Sequence, residues 1–386
     1  MGTTMTTRLG GAVLLAALTA ALAGCGGGDD GGGSSASAAR PCTGTIGVMA
    51  PVTGDAAMQG LEQVHFARLA VDRYNRGHGT RFKVAEGDTG LDPAQASTVA
   101  QQYLSDDAVV ALVGPASSQQ VEAIGPLLER AGMAAVSASA SGGELTRDGR
   151  LPTFSRVVPP DTVQGSTDAA FIADRLKAGR VMVVDDQTSY STGLADTVER
   201  ELERRGVEVR RESVSQKAAD LSALASRVGT DTDVVFLPWL AANAQQFGRQ
   251  LAEQGARTTI FGADGLFAPG VFDVEGSYVS SFAPDIRGIP GTQDVVRAFR
   301  ARYGDFGTYG PPAYAAAVVV AGAMQRACGS GGGRPARDAV AREVRRTDLP
   351  TSILGRPLRF TPDGDLRDAR FFIFRVEDGE FSLVDP

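Results

Sequence analysis

From residue 44 onward, short apolar runs alternate with stretches of helical periodicity, and the alternation scarcely pauses until residue 261. Residues 46–50 (Ile-Gly-Val-Met-Ala), 82–84, 109–113 (Val-Val-Ala-Leu-Val) and 134–136 read as strands. Between them, 59–75 repeats Val64, Ala67, Leu69, Ala70 and Val71 at helical spacing, and 94–104 and 119–131 read as helices. The pattern restarts after Pro159-Pro160, with helices over 164–176, 192–205, 221–228 and 241–254 and strands over 181–184, 207–210, 234–237 and 259–261. Repeated β-α units build parallel sheets covered by helices on both faces. Two such runs, each long enough for its own sheet, predict an α/β protein of two lobes.

The rest of the chain is less regular. Residues 312–328 are rich in Ala and Val but too short for a comfortable membrane span, so they read as a buried helix. Glycines at 288–291 and 329–333 mark loops. The tail reads as strand (358–360), turn (361–365) and strand (371–376). Its acids Asp363, Asp365 and Asp368 lack the spacing of a calcium loop and suit a solvated turn.

Composition excludes several classes of function. A net charge of −7 argues against a nucleic-acid surface, and two His with three Cys leave little for a zinc, haem or iron–sulfur site. No metal and no cofactor is expected. The chain has no P-loop, no G-x-G-x-x-G after its first strand and no G-x-S-x-G elbow. His65 falls within an amphipathic helix and His78 in a polar turn, away from the strand ends where an α/β fold places its working residues. An exported hydrolase using a loop serine therefore lacks a base, and a non-enzymatic role is the better reading.

The N-terminus reads as an address. Arg8 precedes an apolar run, and Leu22-Ala23-Gly24-Cys25 resembles the lipobox at which bacterial lipoproteins are cleaved and lipidated on Cys25. This makes 1–24 a signal peptide and 25–42 a lipidated Cys with a Gly/Ser-rich tether, on an exported domain anchored to the cell membrane. Cys42 and Cys328 remain as an even pair in an oxidising compartment and are expected to form a disulfide.

Ligands of open α/β sheets sit beyond the carboxyl ends of strands, against helix N-termini. Here those ends are rich in small hydroxylated residues. One strand runs into Gly114-Pro115-Ala116-Ser117-Ser118, another into residues 137–144, which include Ala140 and Ser141. Hydroxyls and free N–H groups there make a cradle for a carboxylate, although helix capping alone explains any single serine. In the second half, 181–184 runs into a turn carrying Tyr190, and 259–261 into Gly262-Ala263-Asp264-Gly265. Tyr190 suits an amphipathic wall, and Asp264 either takes an ammonium group or serves its turn. Trp239, the only Trp, lines the cleft or packs in the core.

In order and spacing, several segments resemble the type I periplasmic substrate-binding proteins of ABC transporters, most of all their leucine/isoleucine/valine-binding branch. They are Ile46-Gly47-Val48 with Pro51-Val52-Thr53-Gly54, Asp92-Pro93, Val113 to Ser118, 137–146, Phe154-Ser155-Arg156 with Asp161 and Gln164-Gly165, and Tyr190 to Leu194. The resemblance implies two Rossmann-like lobes joined by a three-crossover hinge, with lobe I in 43–158 plus 284–357 and lobe II in 159–283 plus 358–386. It also implies a monomeric receptor whose partners are a small amino-acid-like ligand and an ABC permease. By matching position, Ser117 or Ser118, with Ala140 and Ser141, would hold the ligand α-carboxylate. Tyr190 and Asp264 would face it, Asp264 pairing with the α-ammonium. Where family members often carry Tyr, this chain has Trp239-Leu240-Ala241-Ala242, which alters the side-chain pocket. A sensing receptor for an amide, aromatic acid or purine-like solute is the alternative on the same fold.

Overall fold

The computed structural model describes residues 40–385. The expected signal peptide, Cys25 and most of the tether lie outside the described residues.

The first run of units is β1 (Thr43–Ala50), α1 (Ala57–His78), β2 (Arg81–Asp88), α2 (Pro93–Ser105), β3 (Val109–Val113), α3 (Ser118–Arg130), β4 (Ala134–Ser137) and β5 (Phe154–Arg156). Its strands form a parallel sheet in the order β2-β1-β3-β4-β5. Successive strand side chains point to opposite faces, and β1 shows the consequence. Ile46, Val48 and Ala50 enter one core, while Met49 enters the core on the other face.

The second run is α4 (Asp161–Ala170), β6 (Arg180–Asp185), α5 (Ser189–Arg204), β7 (Glu208–Ser213), α6 (Ser222–Ala225), β8 (Val234–Leu237), α7 (Ala241–Glu253), β9 (Thr259–Gly262) and β10 (Tyr278–Ser281). In β6, Met182 and Val184 face one core, Val181 and Val183 the other. The chain then returns to the first lobe through α8 (Gln293–Tyr303), α9 (Gly310–Cys328), α10 (Arg337–Arg345) and a small antiparallel pair, β11 (Asp348–Leu349) and β12 (Leu358–Arg359). It ends in the second lobe with β13 (Phe372–Glu377) and β14 (Glu380–Asp385), in a sheet ordered β14-β13-β10-β9-β8-β6-β7. The fold is thus α/β, with two sheets, flanking helices and three crossings between lobes.

Two expectations need correction. The second sheet is mixed, because β13 joins β10 antiparallel and β14 joins β13 antiparallel. Of the tail's two strands, β12 pairs with β11, and β13 belongs to the other lobe. The last crossing also falls later than residue 358, since Leu358, Phe360, Leu366 and Phe371 are buried in the first lobe's core with Val340 and Val344 of α10. The strands β5 and β10 and the helices α8 and α10 escaped the sequence reading. Helix 221–228 shrinks to Ser222–Ala225.

Cys42 and Cys328 are bonded, with Cα atoms 6.0 Å apart, joining the start of β1 to the end of α9. Asp365 is a turn acid only partly open to solvent: its carboxylate accepts from the wholly buried Arg156 Nε at 2.7 Å.

Candidate functional site

The carboxyl ends of β1, β3 and β4 face those of β6, β8 and β9 across a cavity of about 80 Å³, several times the space one water needs. On the first lobe's wall, β3 turns into α3 through Gly114. Its φ of +104° is open to glycine, and a Cβ there would stand 2.4 Å from the Met49 carbonyl oxygen. Ser117 occupies the N-cap of α3 in extended conformation, but its hydroxyl caps nothing. That Oγ is buried, has no hydrogen-bond partner among the described residues, and belongs to a residue lining the cavity. Ser118 also lines the cavity, but its Oγ is engaged, accepting from Gly142 N–H at 3.0 Å. Ser139 donates to the Ala116 carbonyl at 2.7 Å and accepts from Gln63 Nε2 at 3.3 Å, fixing α1 against the loop after β4.

On the second lobe's wall, Tyr190 donates its phenolic hydrogen to Asp264 Oδ1 at 2.8 Å. Asp264 is 4% exposed and opens the turn Asp264–Leu266 directly after β9. The next residue must be glycine, because a Cβ on Gly265 would lie 2.2 Å from the Trp239 carbonyl oxygen. Trp239 does both things the sequence left open. Its indole lies in the core beside Phe247 and donates to the Val184 carbonyl at 2.7 Å, yet the residue also lines the cavity. Thr188 donates to Asp186 Oδ1 at 2.7 Å at the cleft's edge.

Burial is the largest influence on Asp264 and raises its carboxyl above the usual carboxylate range, against the lowering effect of the Tyr190 hydrogen bond. Burial likewise raises the phenols of Tyr190 and Tyr309, with the Asp264 charge adding to it. Behind Asp264, α4 carries two further wholly buried acids. Burial pushes Asp161 up to about 7, and raises Asp168 well above its ordinary value. Among the described residues no Lys or Arg lines the cavity, so an anionic group entering it meets hydroxyls and the N-terminus of α3.

The structure therefore brings Ser117, Ser118, Tyr190, Trp239 and Asp264 to one cavity, and leaves Ala140 and Ser141 outside its lining. Ala140 is buried in the core beneath α3, and Ser141 accepts the Asp161 N–H on its carbonyl at 2.8 Å. Sequence reasoning missed Gln63, Ser139, Asp186 and Tyr309, which line the cavity too. The signal for Tyr309 was Tyr-Gly-Pro-Pro, a helix start that the reading began at Pro312 instead. Neither His lines this cavity: His65 stacks on Tyr303 at 4.0 Å and His78 on Tyr74 at 4.0 Å.

Two α/β lobes whose strand ends enclose a small, largely apolar cavity with a few polar groups at its walls define a solute-binding architecture. The chain belongs to the periplasmic binding protein family, whose profile matches residues 43–380. It is 28% identical over 344 residues to an amino acid binding protein of Pseudomonas aeruginosa, covering 86% of this chain and 90% of that one. It is also 28% identical over 352 residues to a Leu/Ile/Val-binding protein of Rhizobium johnstonii, covering 88% and 94%. In fold it is similar to the leucine-binding protein LivK of Thermotoga maritima, with a TM-score of 0.79 at 22% identity over 88% of this chain and 97% of that one. The isoleucine complex of LivJ from Streptococcus pneumoniae gives a TM-score of 0.79 at 22% identity, covering 89% and 100%.

Proposed function

We propose that this protein is a non-enzymatic receptor that captures a small aliphatic α-amino acid, branched-chain or closely related, between its lobes. The observation that carries this reading is the pairing of opposite chemistries across the cavity. Ser117 offers an unused hydroxyl at a helix N-terminus, and Asp264, aligned by Tyr190, offers a carboxylate. The first suits an α-carboxylate and the second an α-ammonium. Pro51, Ala56, Leu91 and Leu240 leave an apolar remainder for an aliphatic side chain. The names of the relatives point the same way.

Closure about the crossovers desolvates the ligand's charges against these partners and shifts the open–closed balance. The loaded form is then the one handed to an ABC permease. The lipobox-like Leu22 to Cys25 and the tether after it support an exported receptor held at the membrane by a lipid on Cys25, which raises its effective concentration beside the permease.

The test is thermal denaturation of the chain from residue 40 onward, refolded to strip carried solute, against an amino-acid panel and common small metabolites. A ligand at about 100 times its Kd stabilises by about 2.7 kcal/mol. Aliphatic amino acids are expected to produce the shift and Asp264→Asn to abolish it. A response confined to amides, aromatic acids or purines would replace the ligand class, and silence to every compound would sink the receptor reading.

A further inference from the structure

Away from the amino-acid cleft, the segments that carry the chain between lobes enclose a second pocket, of about 480 Å³. Pro284 and Ile289 line it just after β10, and Asp368, Arg370 and Phe372 line it just before and at the start of β13. Arg356, from the loop between β11 and β12, completes it. This loop is fixed in place. Ser352 Oγ donates to the Arg356 carbonyl at 2.6 Å, and Gly355, at φ +70°, packs so closely that a Cβ would come within 3.1 Å of the Ile289 side chain.

The side chain of Arg356 is anomalous. All three guanidinium nitrogens are shut off from solvent, and none has a hydrogen-bond partner among the described residues. Buried polar groups are nearly always paired, and a buried cation without partners is among the costliest arrangements a fold can hold. Its charged surroundings make matters worse. Burial, then repulsion from Arg370, hold the guanidinium down at about 10. Arg370 is exposed and lies over the Phe372 ring, 5.1 Å from its centroid. Asp368 also lines the pocket, but it makes no hydrogen bond to Arg356. Two arginines of like charge lining one pocket, one of them with every donor unspent, fit a shared anionic partner.

We propose that Arg356 and Arg370 form an anion site at the crossovers, taking an oxyanion of the phosphate or carboxylate type. The planar guanidinium of Arg356 offers two parallel donors to adjacent oxygens, once a side-chain rotation turns it toward the pocket. Arg370 adds a second cation from the rim, and Phe372 holds it there. This site is separate from the amino-acid cleft and stands or falls independently of the ligand proposed there.

The test uses the chain from residue 40 onward, since residues 40–385 form one compact unit. Thermal denaturation is followed in sodium phosphate, sodium acetate and sodium chloride at matched ionic strength and pH 7. Phosphate is expected to raise Tm saturably by a few degrees above chloride. An equal rise in acetate assigns the site to oxyanions in general, and a rise in phosphate alone assigns it to the tetrahedral class. Arg356→Met, which replaces a buried charge with an apolar chain of similar length, is expected to match or exceed the wild-type Tm in chloride and to lose the increment. Arg370→Gln, at an exposed position, should fold normally and show a weakened increment, which keeps the test open if Arg356→Met fails to fold. Equal Tm in all three salts, or an increment undiminished in either variant, would overturn the proposal.

Discussion

Tyr309, at the head of α9 in the first lobe, donates its hydroxyl to the backbone carbonyl of Asp264 in the second, over 3.3 Å. The same oxygen lies 3.5 Å from Asp264 Oδ2, at the edge of hydrogen-bonding range. One phenol thus spans the cleft to the residue assigned to the ligand's ammonium. Tyr309→Phe removes that contact while keeping the ring's packing against Phe282, whose centroid is 5.1 Å away. A neutral hydrogen bond contributes about 0.5–1.5 kcal/mol net, so the Kd for the amino-acid ligand should rise roughly two- to tenfold. Isothermal titration of the variant against wild type reads this directly. An unchanged Kd would mean that the contact adds nothing to closure.

The buried acids behind the cleft give a pH dependence whose sign is fixed by the direction of their shifts. Burial, helped by the Asp264 charge and opposed by Arg156, raises Asp161 to about 7 from an ordinary value of 3.8. Between those values the folded state holds a proton that the unfolded state has released, so stability falls as pH rises. Asp168 and Asp264 are shifted upward too and act in the same direction. Unfolding in urea should therefore give a lower midpoint at pH 8 than at pH 5. Asp161→Asn should flatten the decline and raise the midpoint at pH 8. A midpoint that climbs with pH, or a variant as pH-sensitive as wild type, would contradict the assignment.

The two lobes were legible because β-α alternation writes itself into apolar spacing, as in β1, where every second residue enters the same core. Elements with few residues or weak periodicity were not. β5 is three residues long, and its central Ser155 and terminal Arg156 are buried polar groups that look like loop. α10 carries its burial on Val340 and Val344 alone. In the site, Ser117 and Asp264 could be found because strand ends point to ligands. Tyr309 could not be found that way, since it reaches the cleft from a helix head contributed by a segment remote in sequence. Ala140 and Ser141 stay outside the cavity lining for the converse reason. They sit at a strand end, but the loop folds back so that Ala140 packs beneath α3.

The Cys42–Cys328 bond closes a loop of 286 residues, anchoring the start of β1 just where the tether would leave. The neighbouring backbone adds to the clamp: Thr43 N–H donates to the Gly333 carbonyl at 2.8 Å, and Gly333 N–H to the Pro41 carbonyl at 3.1 Å. Cross-links of long loops contribute about 2–5 kcal/mol. The double variant Cys42→Ser/Cys328→Ser should lose about that much in denaturant unfolding, with ligand affinity unchanged because neither residue lines the cavity. A loss below about 0.5 kcal/mol would show that the hydrogen-bonded clamp alone holds the strand.

Arg156 links the fold's stability to the ligand wall. It is wholly buried at the end of β5, with Nε donating to Asp365 at 2.7 Å, Nη1 to the Gly142 carbonyl at 2.7 Å and Nη2 to Thr146 Oγ1 at 2.7 Å. Gly142 in turn donates to Ser118 at the start of α3, so the guanidinium braces the loop that borders Ser117. Asp365 retains some access to water, with 24% of its side chain exposed, whereas Arg156 has none. Removing the carboxylate is therefore the damaging change, because it leaves a buried cation with only neutral acceptors. Asp365→Ala should cost about 3–5 kcal/mol in urea unfolding, in the range for a broken buried pair. It should also weaken amino-acid binding through the loosened Gly142–Ser118 contact. If the variant loses less than about 1 kcal/mol, the neutral acceptors are sufficient to hold Arg156, and the brace does not depend on its counter-charge.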